Sequence, residues 1–179
     1  MNYWRRFLDW LTATFGSSGR TAIPREQVSV RPIGIVRNGV RTPRPEGWAH
    51  LISDVVVRAE LLDLLDGIEG YSHIFVVFAF DKVPESEQRI RVRPRGDPRI
   101  PEQGVLATRS QLRPSPIGVS VVRLLKRRRN ILRVEGLDAI DGTPVLDLKP
   151  YFPNYDAVPD AGIPQWARDL AAEGPTPAR

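Results

Sequence analysis

The sequence predicts a mainly β fold: a single compact β-barrel with short helices, preceded by an amphipathic helix at the N-terminus. Three observations carry this. Short runs rich in Val, Ile and Phe recur along residues 33–148, separated by Pro and Gly. Several alternate with period two, as at 54–59, where Val55 and Val57 point to one face and Val56 and Arg58 to the other, so one face of the sheet is wet. Finally, strand and helix patterns do not alternate regularly, and no Gly-rich strand-to-helix fingerprint is present, which argues against a doubly wound nucleotide-binding sheet.

The elements follow in chain order. Trp4, Phe7, Leu8, Trp10, Leu11 and Phe15 recur at helical spacing with Arg5 and Arg6 between them, predicting an amphipathic helix over residues 1–15. Such a helix suits packing on the body or on a partner subunit, or loose contact with a membrane surface. Asp9 interrupts the apolar stretch, which does not read as a signal peptide. Residues 16–27 have linker composition, so the appendage is 1–27, the barrel domain 28–165, and 166–179 the end of a last helix with a tail. Strands are expected at 33–37, 54–59, 73–80, 89–93, 104–109, 118–126, 131–137 and 145–148. Within the body, a short helix at 60–65 stopped by Gly67 and a second at 164–172 are the helical expectations.

Composition narrows the chemistry. The 179 residues suffice for one core, and 41% apolar content is not that of a disordered chain. Without cysteine there can be no disulfide, thiolate nucleophile or Cys-based zinc or iron–sulfur site, and two distant histidines, His50 and His73, make no metal site. A net charge of +5 attracts a polyanion without identifying it as nucleic acid. No apolar run approaches the roughly 20 residues of a transmembrane helix, and a cytoplasmic location is the default expectation.

Two segments are dense in functional residue types. Residues 107–118 read ATRSQLRPSPIG. Pro114 and Pro116 stiffen this loop, so Arg109 and Arg113 would be presented to a carboxylate or phosphate at low entropic cost; the same residues also fit a stiff turn whose arginines pair with surface acids. Residues 137–151 read LDAIDGTPVLDLKPY, with Asp141-Gly142 as a turn signal. Asp138, Asp141 and Asp147 could meet ribose hydroxyls, an amine or a cation, or simply shape a hairpin, while Lys149 and Tyr151 offer a cation and a ring to a nucleic-acid base unless Tyr151 is core. An extended strand would place Arg89, Arg91 and Arg93 on one face as a phosphate track. The run Lys126, Arg127, Arg128 and Arg129 before Asn130 reads most simply as a solvated hairpin turn. His73 heads an apolar run as a structural histidine or a base, and Asp81-Lys82 ends the same strand where a ligand can meet a barrel rim.

Taken together, IGIVRNG at 33–39, GIEGYSHIFVVF at 67–78, GVLATRSQLRPSPIGVS at 104–120 and LDAIDGTPVLDLKPYFP at 137–153 resemble, in order, the TrmO or TsaA-like family of tRNA adenosine N6-methyltransferases. The resemblance covers residues 28–163. It implies a β-barrel, usually homodimeric, that binds S-adenosyl-L-methionine without a Rossmann fold and methylates N6 of threonylcarbamoyladenosine beside the anticodon of tRNA. By the same resemblance Arg109 and Arg113 are the family's paired arginines, with Tyr151, His73 or solvent open as the base. Cofactor contacts are implied at Gly47, Trp48, Asp81, Lys82, Arg113, Leu124 and the Asp138, Ala139, Ile140, Asp141 turn, while Arg89, Arg91, Arg93 and Lys149 would contact RNA. Two departures stand out: Asp81-Lys82 where some members have His-Gln, and Ser115, with one donor instead of two, where Asn is common. The competing expectation is a non-catalytic RNA-binding or cofactor-sensing barrel.

Overall fold

Alternating apolar residues close a sheet on itself here. The structure, a computed structural model, describes residues 28–44 and 47–172. Eight strands form: β1 (Gly34–Arg37), β2 (Ile52–Val57), β3 (His73–Ala79), β4 (Arg91–Val92), β5 (Gln103–Gly104), β6 (Ile117–Arg128), β7 (Ile131–Glu135) and β8 (Pro144–Pro150). Six of them make a closed barrel in the order β1-β2-β7-β6-β3-β8, every neighbouring pair antiparallel, while β4 and β5 pair separately. The helices are α1 (Pro153–Asp156) and α2 (Gln165–Ala172), and residues Ala59–Leu65 form a 3₁₀ helix. The expected amphipathic helix at 1–15 lies outside the described residues.

Inward positions fill the barrel. Val36, Val55, Val57, Ile74, Val76, Phe78, Val122, Leu132, Val134 and Val145 are buried, each alternating with a more exposed neighbour. Phe78 lies directly opposite Gly118, and a methyl group at 118 would overlap the Phe78 ring, so the glycine makes room for the aromatic side chain. Leu137, Ala139 and Thr143, from the β7–β8 connection, are also buried and seal one end.

Two expected strands are corrected. Only Arg91–Val92 of the 89–93 run is a strand, and 104–109 is a strand at Gly104 alone followed by a 3₁₀ turn at Val105–Ala107. Pro94, Pro98 and Pro101 remove donors on either side of these β-type residues and keep the excursion between β3 and β6 short-paired. The run 60–65 adopts 3₁₀ instead of α geometry, held to the barrel by Arg127, whose guanidinium donates to the Leu65 carbonyl at 2.9 Å, Asp66 at 2.9 Å and Glu69 at 3.0 Å. The Glu69 carboxyl is held below its usual range by its own backbone amide first and by the Arg127 guanidinium next.

Candidate cofactor and substrate site

Strand direction decides where the candidate residues fall. β1, β3 and β7 end, and β2, β6 and β8 begin, at the same mouth of the barrel. Three connections therefore meet there: 38–51, 80–116 and 136–143. They carry Gly47, Trp48, Asp81, Lys82, Arg109, Arg113, Asp138, Ala139, Ile140 and Asp141.

The gathering is built by hydrogen bonds. β7 pairs only with the far half of β6, from Arg123 to Arg128, so the near half lacks a strand partner on that side. Arg109 and Asp138 occupy this gap: an Nη2 donor of Arg109 bonds the Val119 carbonyl, and the Ser120 hydroxyl donates to Asp138 Oδ1. A cation and an anion are thereby fixed to consecutive residues of one strand. Each is anchored through one end, leaving Asp138 Oδ2 and the remaining Arg109 donors for a ligand. The Trp48 turn adjoins them, for the Leu51 amide donates to the Trp48 carbonyl at 3.0 Å and the Gly136 amide to Leu51 at 3.0 Å. Trp48 is held by its own indole N–H to the Arg44 carbonyl at 2.9 Å, with the Arg44 guanidinium 4.8 Å above its ring, and Gly47 takes φ +81° to make this turn. Asp81-Lys82 is exposed in a turn whose Phe80 amide donates to the Pro116 carbonyl at 2.8 Å, beside the proline-stiffened loop.

Asp141 has a different part from Asp138. Its Oδ1 accepts the Asn38 amide at 2.9 Å and the Gly39 amide at 3.3 Å, and its Oδ2 pairs with Arg37 at 3.2 Å. The two amides first, then Arg37, hold its carboxyl below the usual range. Asn38 completes the lattice by donating to Ser53 Oγ at 3.0 Å and to the Ala139 carbonyl at 2.9 Å. Ala139 buries its side chain, so it can offer a ligand only backbone; Asp141 clasps the turn while Asp138 and Ile140 are more open. Arg113 likewise builds its own loop, donating to the carbonyls of Ser110 at 2.9 Å and Thr108, with Nη1 left over.

Three candidates are not brought together with these. Leu124 sits five residues beyond Val119, roughly 16 Å along β6, and packs against the core. Tyr151 follows the far end of β8, with its ring centroid 5.6 Å from Phe75 and 6.4 Å from His73. Lys149, at the same end, pairs with Asp147 at 2.7 Å. The arginine strip does not form one row either: Arg89 donates to Ser86 and Gln88 carbonyls, Arg91 to Glu102 and Arg93 to Ile100. Sequence reasoning missed Ser120, Ser53 and Asn38. Ser120 was detectable, since it occupies an inward position between Gly118 and Val122, where an apolar residue is expected. A groove of about 390 Å³ lined by Val57, Leu61, Leu65, Tyr71 and Leu148 opens at the opposite end, and of the candidates only Asp147, set apart from Asp138 and Asp141, reaches it.

Fold and site define a closed antiparallel β-barrel that gathers three long connections, with paired opposite charges, at one mouth. The profile of the tRNA-methyltransferase O N-terminal domain matches residues 36–157, and the chain belongs to that family. An S-adenosyl-L-methionine-binding protein of Archaeoglobus fulgidus is 41% identical over 133 residues, 72% of this chain and 93% of the relative. The tRNA (adenine(37)-N6)-methyltransferase of Escherichia coli K12 is 42% identical over 159 residues, 85% of this chain and 60% of that enzyme. The crystal structure of TrmO from Pseudomonas aeruginosa matches with a TM-score of 0.64 at 32% identity, over 87% of this chain and 66% of that one. The chain thus spans nearly all of the archaeal relative and about 60% of the E. coli enzyme.

Proposed function

We propose that the chain is an S-adenosyl-L-methionine-dependent methyltransferase acting on N6 of adenine in tRNA, with threonylcarbamoyladenosine next to the anticodon as its acceptor. The carrying observation is the fixed pair of Arg109 and Asp138 on Val119 and Ser120. The donor set suits this cofactor. Its amino-acid end is a zwitterion, for which a guanidinium answers the carboxylate and Asp138 answers the ammonium group or a ribose hydroxyl. When bound, S-adenosyl-L-methionine supplies an electrophilic methyl group on a cationic sulfur. Trp48, Asp81-Lys82 and the backbone of residues 138–141 frame the same mouth.

The protein's task is alignment. Arg113 and the two prolines keep the 107–116 loop rigid, so Arg109 needs little reorganisation on binding. An acylated N6 holds its proton less tightly than plain adenosine, and solvent at this exposed mouth suffices to take it. Tyr151 and His73 lie at the other end of the same barrel and are not the base in this reading. Among the described residues no helix is long and apolar enough to cross a membrane; a tRNA acceptor is what supports the cytoplasm as the place of action in this reading. A homodimer is supported by the outer face of β3 and β6, where Ile117, Val119 and Val121 are 44%, 39% and 46% exposed beside Phe75 and Val77.

The test incubates the protein with S-adenosyl-L-methionine and tRNA that does or does not carry threonylcarbamoyladenosine, then digests and weighs the nucleosides. A one-methyl gain confined to the modified nucleoside is expected. Salt-sensitive tRNA binding with no cofactor affinity would instead support a non-catalytic RNA-binding barrel.

A further inference from the structure

We infer that the outer face of β6 and β7, with the turn joining them, receives the phosphate backbone of the RNA, an inference that rests on the tRNA substrate proposed above. The register irregularity between Leu124 and Lys126 sets up this face. It leaves Arg123, Lys126 and Arg128 outward and turns Arg127 inward to Asp66 and Glu69. Arg133 of β7 points to the same side, directly opposite Lys126. Five cations, with Arg129 at the turn, thus share a surface with two acids, Asp54 paired to Arg133 at 2.9 Å and Glu135 to Arg123 at 3.2 Å.

Three features of this surface call for an anion. Lys126, Arg128 and Arg129 make no side-chain hydrogen bond or ion pair among the described residues, whereas Arg89, Arg91 and Arg93 each bond carbonyls of their own excursion. Lys126 faces a like charge, Arg133, directly across the ladder, and since Asp54 is taken up by Arg133, Lys126 has no acid of its own. Arg129 holds φ +55° in the two-residue turn, a position that Asn or Gly occupies more comfortably. The face carries no aromatic side chain to seat in a bilayer, which favours an RNA backbone over a lipid surface. Arg37, paired with Asp141 at the ligand-binding mouth, stands opposite Asp54, so the cationic surface continues towards the mouth where the reacting base would lie.

The experiment measures tRNA affinity of the full chain across a salt series for three proteins: wild type, Lys126→Gln/Arg128→Gln/Arg129→Asn, and Arg89→Gln/Arg91→Gln/Arg93→Gln. The first triple variant is expected to flatten the dependence of log Kd on log salt by about two to three and to weaken binding about tenfold or more, with S-adenosyl-L-methionine affinity retained. The second is expected to flatten it by less than about one. Because Asn suits a left-handed φ, the single Arg129→Asn variant keeps the fold and is expected to lower the slope by about one on its own. An unchanged slope in both the triple and the single variant, with wild type still methylating tRNA, overturns this face and leaves the proposed function standing. A flattened slope in a protein that binds but never methylates tRNA upholds the face and sinks the methyltransferase reading.

Discussion

At the residue scale, the paired charges and the barrel glycine make separate demands. Ser120 fixes Asp138, and Arg109 is fixed by a main-chain carbonyl that no substitution removes. Ser120→Ala should therefore release Asp138 without deleting it and lower cofactor affinity by about 10- to 100-fold, the worth of one neutral-to-charged hydrogen bond. Arg109→Ala should lower kcat/KM by about 10- to 100-fold, and Arg109→Lys should recover only part, because an ammonium cannot bond Val119 and a ligand through a planar fork. Isothermal titration with S-adenosyl-L-methionine and steady-state kinetics check both; unchanged affinity in Ser120→Ala would remove Asp138 from the site. Gly118→Ala tests the core instead. Its methyl group has no room beside Phe78, so thermal or urea unfolding should show a loss of about 1–3 kcal/mol, and the double variant with Phe78→Leu should lose less than the sum of the two single changes.

At the scale of elements, the 136–143 connection is the piece that couples barrel to site. Leu137, Ala139 and Thr143 hold it in the core while Asp141 clasps the turn after β1, and the Thr143 amide closes on the Ile140 carbonyl at 3.2 Å with Gly142 at φ +84°. Asp141→Ala leaves the Asn38 and Gly39 amides without their acceptor and should cost about 1–3 kcal/mol. Acid should act in the same way. The folded Asp141 carboxyl is held below its unfolded value near 3.9, so its contribution is fully present above that pH and fades as pH falls towards the folded value. A urea midpoint measured from pH 6 to pH 3 should drop more steeply at the acid end in wild type than in Asp141→Asn; parallel curves would mean the clasp carries no stability. Much of this was legible in the sequence. The runs at 33–37, 54–59, 73–80, 118–126, 131–137 and 145–148 are strands to within a few residues because alternation in a half-buried sheet writes itself into the chain. The runs at 89–93 and 104–109 misled because β-type residues between prolines have no long partner. Arg109 and Asp138 were visible as chemistry, but their meeting through Val119 and Ser120 is set by where β7 stops pairing. For the same reason local sequence could not tell that Leu124 and Tyr151 lie towards the other end.

At the scale of the whole molecule, β6 is divided along its length. Its near half shows Ile117, Val119 and Val121 to the outside next to Phe75 and Val77 of β3, and its far half shows Arg123, Lys126 and Arg128. An outward apolar row on a barrel strand is not needed to close the barrel, whose interior is already filled from the alternate positions. A second copy of the chain is the occupant that this division favours, since it would cover the apolar half and leave the cationic half open to RNA. The apolar half is the one nearer the candidate mouth, where the main chain of Val119 carries Arg109, and it meets the cationic half between Val121 and Arg123. Val121→Glu places one charge in the apolar half, opposite Phe75, without touching any inward side chain. Analytical ultracentrifugation should then find wild type as a dimer and Val121→Glu shifted to monomer, with thermal stability of the barrel itself changed by less than about 1 kcal/mol in the dilute limit. If association at this face also steadies the Arg109 loop, the monomeric variant should lose turnover while its tRNA salt dependence, set by the other half of the strand, stays that of wild type. A dimer of undiminished strength in Val121→Glu would place the subunit contact elsewhere and leave this apolar row without an occupant.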